Sequence, residues 1–185
     1  MKKILITVLG VAIAAAAFAQ EERPTRQGFA FGGYLGAGAI YFSSGNAGND
    51  TQGHVTLLNF QAGHLFNDRF GIFLKTAGNS YEVEGRDRSL DGYIVSAQYW
   101  TSDKFWISGG YGPAMDIRAF WESKSESEGV NWGHGVLLAG GYEVMQRKKW
   151  ALDLQTRLYM ASVKLDDGAR REATTVSLGV GITFF

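Results

Sequence analysis

Residues 175–185 read Thr-Val-Ser-Leu-Gly-Val-Gly-Ile-Thr-Phe-Phe. Val176, Leu178, Val180, Ile182 and Phe184 alternate with Ser177, Gly179, Gly181 and Thr183. A period of two places successive side chains on opposite faces of a strand. One face of this strand is greasy and the other is small or polar. The greasy face has to meet either a protein core or lipid.

The same alternation recurs upstream. It predicts strands near 28–42, 54–66, 70–77, 90–100, 105–119, 132–145 and 150–163. In the first, Phe29, Phe31, Leu35, Ala37, Ala39 and Tyr41 share a face. In the seventh, Leu152, Leu154, Leu158 and Met160 oppose Asp153, Gln155 and Arg157. Pro113 lacks a donor for the ladder, so a bulge or an early end to pairing is expected there.

The connections alternate in length. Residues 43–53, 78–89, 120–131 and 164–172 read as long polar loops, and 67–69, 101–104 and 146–149 as tight turns. In an up-and-down antiparallel order, every long loop then falls on one rim and every tight turn on the other. An even strand number with that asymmetry is expected of an outer-membrane barrel. Closure follows from physics, because an open sheet edge in lipid leaves backbone groups unpaired. The expected fold is an all-β, eight-stranded antiparallel up-and-down transmembrane β-barrel over residues 20–185.

The start of the chain reads as an export signal, residues 1–19. Lys2 and Lys3 precede an apolar run, and Ala17-Phe18-Ala19 is a small-x-small cleavage pattern. The chain has no Cys, which excludes disulfides, thiol chemistry and a lipid-anchored cysteine. Lys and Arg (18) balance Asp and Glu (18), which excludes a basic nucleic-acid binder. Gly is abundant at 25 and Pro scarce at 2, as an all-strand chain requires.

Aromatic residues cluster toward strand ends. Tyr41, Phe42, Tyr81 and Tyr93 lie near the long loops. Phe29, Phe66, Phe70, Tyr99, Trp100, Phe105, Trp106, Trp150 and Phe184 lie near the tight turns. Two belts suit the two membrane interfaces.

The face opposite the apolar set becomes the lumen. An eight-stranded barrel is just wide enough to be filled by its own side chains. A buried polar network of Lys75, Glu143, Asp153, Arg157, Gln61 and Gln98 is expected, with Lys75 and Arg157 pairing to Glu143 and Asp153, since buried charges demand partners. Glycines on this face leave room either for long side chains or for water.

The export signal, the eight strands, the alternating loops and the terminal aromatic pair together resemble the small outer-membrane barrels of the OmpA, OmpX and OmpW kind. The resemblance is one of architecture and covers residues 20–185. It implies an outer-membrane address, lipid and lipopolysaccharide as surroundings, a monomer, and a final strand (Phe184 and Phe185) read by the barrel assembly machinery. Phe184 is in phase with the lipid-facing set and Phe185 is not.

The resemblance implies a structural or interaction role, with loops displayed at the cell surface and a largely side-chain-filled lumen. The mixed-charge tips are candidate surfaces: residues 82–88, 122–128 and 166–171. The alternative is a narrow pore or a conduit for small apolar molecules. A lipid A-modifying enzyme and a soluble lipocalin-like barrel come after these. His54 near Ser43, Ser44 and Asp50 is the one conceivable nucleophile cluster, but loop formers in that composition favour turns over catalysis. His54, His64 and His134 have no metal-ligand spacing. No catalytic residue, metal site or cofactor is expected.

Overall fold

A computed structural model describes residues 24–44, 51–83, 85–122 and 129–185. The export signal expected at 1–19 lies outside them. Ten strands are present among the described residues: β1 (Gly28–Ser44), β2 (Thr51–Val55), β3 (Asn59–Asn67), β4 (Phe70–Thr76), β5 (Asn79–Val83), β6 (Arg86–Trp100), β7 (Phe105–Arg118), β8 (Asn131–Arg147), β9 (Trp150–Lys164) and β10 (Arg170–Phe184). All pairings are antiparallel, and β10 returns to pair with β1 from Phe31↔Phe184 to Ser44↔Glu172. The sheet closes on itself, so it has no free edge along that seam.

Ten strands make eight staves, because two staves are each built from two strands. β1 pairs with β3 over its first half and β2 over its second. β6 likewise pairs with β4 and then β5. The two breaks are neighbours in the wall. Asn59 fills in for the lost ladder: its side chain donates to Leu57 O at 3.0 Å and accepts from Gly78 N. Thr76 Oγ1 accepts from Phe60 N at 2.7 Å, and Leu57 N donates to Gly78 O at 3.1 Å. Side chains of this type compete readily for backbone partners.

Pro113 behaves differently from expectation. β7 neither bulges nor ends there. It stays paired to β8 through Pro113↔His134, while its pairing to β6 lapses between Gly92↔Ala114 and Val95↔Tyr111 and resumes in the same register. Loss of one donor thins one side of the ladder without shifting it.

The loops also differ. The stretch 78–89 is largely a hairpin, β5–β6, turning at Gly85 with φ of +72°. The 164–172 stretch is a short turn, because β9 and β10 pair up to Lys164↔Arg170. On this rim the excess length lies in strand overshoot as much as in loops.

The inside-out pattern follows the sequence period. Leu35, Phe60, Val95, Leu138 and Leu178 face outward and are exposed, whereas Lys75, Ser96, Gln98, Glu143, Asp153 and Gln155 face inward and are buried. Phe29, Phe66, Tyr99, Phe105 and Tyr142 ring the tight-turn side; Tyr41, Tyr93, Tyr111 and Trp132 ring the other. Four residues expected in the belts are inside instead: Phe42, Tyr81, Trp100 and Trp106 are almost fully buried. Each is one position out of phase with its exposed neighbour, and phase decides which face a residue takes.

Candidate functional site

The lumen is the site that the fold builds, and inward side chains fill it in three tiers. The inner tier lies at the tight-turn end and centres on Glu143. Arg26 donates to Glu143 Oε2 at 2.6 Å and to Asp103 O at 2.6 Å. Trp100 Nε1 donates to Glu143 Oε1 at 2.7 Å, and Gln146 Nε2 to Oε2 at 2.7 Å. The Arg26 guanidinium lies 5.0 Å from the Trp100 ring centroid and 5.8 Å from that of Phe185. Charge-assisted bonds of this kind are short and strong. A Cβ at Gly141 would lie 2.4 Å from the Trp106 ring, so this glycine is what lets the indole lie flat against β8.

The middle tier holds most of the residues expected from sequence. Lys75 Nζ donates to Gln98 Oε1 at 2.7 Å and lies 4.9 Å from the Trp106 ring. Arg157 Nε donates to Gln155 Oε1 at 3.0 Å, and its guanidinium sits 3.9 Å from the Tyr34 ring centroid. Gln61 Nε2 donates to Thr183 Oγ1 at 2.8 Å, and Tyr34 donates to Ser177 Oγ at 3.0 Å. All six expected network residues are buried inside the barrel.

The expected ion pairing is not the one found. Glu143 pairs with Arg26, and among the described residues neither Lys75 nor Arg157 forms an ion pair with Glu143 or Asp153. Glu143 sits near the tight-turn mouth, where the lead-in brings Arg26 within reach. Lys75 and Arg157 are held deeper, by amide oxygens and aromatic faces.

The outer tier lies at the long-loop end, five residues past Tyr111 on β7 and five before Tyr93 on β6. Asp116 is its centre. Arg88 Nε donates to Asp116 Oδ1 at 2.7 Å, Arg171 Nη1 donates to Oδ2, and Tyr81 donates to Oδ2 at 2.6 Å. Arg88, Asp116 and Arg171 are each 1% exposed or less. Burial, reinforced by the Asp116 carboxylate, pushes the Tyr81 hydroxyl well above its ordinary value, so it remains a proton donor. Phe42 packs on Tyr81 with ring centroids 4.9 Å apart. Arg88 and Arg171, expected at exposed tips, are therefore interior residues. Glu84 and residues 123–128 of those tips lie outside the described residues.

The histidines take different places. His54 points into the lumen and is buried. Ser44 Oγ donates to Arg170 O, and Asp50 lies outside the described residues, so no triad is assembled among those described. His64 and His134 face outward, against Phe66 and Tyr111.

The terminal pair is split as its phase requires. Phe184 stacks outside on Phe31, with centroids 5.1 Å apart, while Phe185 turns inward against Trp100 at 6.5 Å. Arg26 and Asp116 escape the sequence analysis, and Tyr81 is assigned there to the aromatic belt rather than to the lumen. Arg26 stands in an aperiodic lead-in, Asp116 follows the Pro113 interruption, and Tyr81 lies in a stretch that reads as loop. Only its phase relative to Tyr111 marked Asp116 as an inward carboxylate.

A closed ring of eight staves with an apolar outside and a packed polar inside is the fold of the small outer-membrane β-barrels. The fold resembles that of Neisserial surface protein A at a TM-score of 0.56 and 19% identity, covering 84% of this chain and 96% of that one. It resembles that of Ail, the attachment invasion locus protein of Yersinia pestis, at a TM-score of 0.50 and 13% identity, covering 85% and 99%. Identities this low establish the fold alone. No protein-family model and no curated protein matches the sequence.

Proposed function

We propose that this chain is an integral outer-membrane protein with a structural or interaction role, presenting its outer rim at the cell surface around a closed lumen. The observation that carries this reading is the three-tier filling. Glu143 with Arg26, Lys75 with Gln98, and Asp116 with Arg88 and Arg171 span the barrel from one end to the other. Lipid suits the outer face, where large apolar side chains such as Leu35, Phe60, Val95 and Leu178 stand more than half exposed. Aromatic rings at both ends of that band suit the two interfaces. The protein then works as a monomer among outer-membrane lipid and lipopolysaccharide, placed there by the barrel assembly machinery through its last strand.

The rim offers the contact surface. Phe120 is 88% exposed, and Trp121 is pinned beside it by an Nε1 bond to Asp87 Oδ2 of 2.7 Å. Ail, a neighbour in fold, is named for attachment and invasion, which accords with a rim-based role here. An enzymatic role has no support among the described histidines. A pore or apolar conduit would need a passage past the three tiers.

Single-channel recording of the full chain in planar bilayers tests the reading. A filled lumen yields no sustained conductance step. A stable open step carried by the wild-type chain would overturn it in favour of the pore.

A further inference from the structure

Outward of the two neighbouring breaks, the wall is split. β2 pairs with β1 and β5 pairs with β6, but among the described residues no ladder joins β2 to β5. A single bridge, Thr56↔Asn79, closes the base of the split. Beyond it, side chains span the gap. Ser80 Oγ donates to Val55 O at 3.1 Å. Gln52 Nε2 donates to Glu82 O at 2.6 Å, and Gln52 Oε1 accepts from Glu82 N at 2.9 Å.

Alternation along the strands says which backbone groups line the split. Thr56 N donates to Gly36 O, so Thr56, His54 and Gln52 turn their backbone groups toward β1. Val55 and Gly53 turn theirs toward β5. Counting outward from Thr56↔Asn79, Glu82 stands opposite Gly53. Both backbone groups of Glu82 are taken by the Gln52 amide, which leaves the N–H and C=O of Gly53 with no ladder partner. Above Val55 the outer flanks of the split are Thr51, Gly53, Ser80 and Glu82, small or polar, whereas Leu58, Phe60 and Leu74 cover the wall below. Such flanks place the split on the aqueous side of the hydrocarbon, where a barrel wall can leave edge groups unpaired.

A sheet edge with unpaired groups is a template for another strand. The chemistry also names the occupant. The Gln52 side chain is an amide, and it meets Glu82 with one donor and one acceptor, as a peptide group of a neighbouring strand would. An extended backbone offers the same groups in repeat, at the spacing that also serves Gly53. We propose that the split between β2 and β5 is a strand-addition site for an extended peptide segment of a protein partner, with Gly53 and Glu82 as its ladder partners and Gln52 as a displaceable staple. This site rests on the interaction role proposed above and gives it a contact, a backbone ladder at the rim.

The probe is a short synthetic peptide of alternating Thr and Val with Lys at each end, added to the full chain in detergent micelles. Fluorescence anisotropy of a dye on the peptide reads binding, and amide hydrogen exchange reads the place. The wild type is expected to bind, with the Gly53 and Val55 amides becoming protected. A fully N-methylated version, which keeps the side chains and lacks backbone donors, is expected not to bind. Gln52→Ala removes the competing amide and is expected to bind roughly tenfold tighter. Gly53→Pro loses an N–H that points away from β1, so it should keep the heat-modifiable gel mobility of a folded barrel and lose binding. No binding by both the wild type and Gln52→Ala, equal binding of the N-methylated peptide, or protection confined to the Trp121 turn overturns the site. Protection of Gly53 that grows with barrel concentration in the absence of peptide overturns the peptide partner in favour of a second copy. Single-channel recording tests the closed lumen separately, so failure of this site and failure of that reading are told apart.

Discussion

The two ends of the lumen solve the same problem with different materials. At the outer end, every member of the Asp116 cluster sits on a ladder-bound strand: Tyr81 on β5, Arg88 on β6, Asp116 on β7 and Arg171 on β10. At the inner end, the Glu143 cluster recruits Arg26 from a segment that precedes β1 and is tied down by Thr25 N to Lys148 O. The outer cluster is therefore fixed once the barrel closes. The inner one needs the lead-in to fold back afterwards. The outer carboxylate serves two guanidiniums, whereas the inner one has two neutral donors in reserve, Trp100 and Gln146.

That difference sets an order of sensitivity. The largest effect is expected for Asp116→Ala, which takes a shared carboxylate away from two buried guanidiniums. A loss of about 3–5 kcal/mol is expected in urea unfolding from detergent micelles, and a loss no greater than that of Arg26→Ala would erase the contrast between the ends. Next comes Gly141→Ala, whose methyl collides with the Trp106 ring. Overpacking of this kind costs about 1–3 kcal/mol in the same assay, and a double variant with Trp106→Leu should recover most of it. Arg26→Ala follows, because Glu143 keeps Trp100 and Gln146. It should cost about 1–3 kcal/mol, with the Trp100 fluorescence becoming more exposed to an aqueous quencher. Lys148→Gln, on the same turn but exposed, should stay within about 0.5 kcal/mol of wild type.

Much of the barrel was legible in the sequence, for a physical reason. A stave with lipid on one side and packed side chains on the other must keep strict alternation. The residues that obey it (Val95 against Ser96, Leu154 against Gln155) declare their faces directly. Side-chain bonding partners were less legible. Lys75, Glu143, Asp153 and Arg157 could be placed inside, but which charge meets which depends on height along tilted strands, and single-strand periodicity carries no height. Trp100 and Trp106 mark a second limit. Position beside a turn suggested an interface belt, yet phase put both rings in the lumen, where Trp100 donates to Glu143. Arg88 and Arg171 mark a third. Strands that continue past the membrane keep their inward face, so charged residues that read as loop tips became core.

The claim that the greasy face meets lipid and the polar face fills the lumen is tested most directly on β6. The chain has no native Cys, so single spin labels report one position each. Labels at Val95→Cys, Ser96→Cys, Ala97→Cys and Gln98→Cys in lipid bilayers should alternate. Residues 95 and 97 should respond to oxygen dissolved in the bilayer, and 96 and 98 should be shielded from it. Uniform accessibility to a water-soluble relaxant at 95 and 97 would contradict a membrane-spanning barrel.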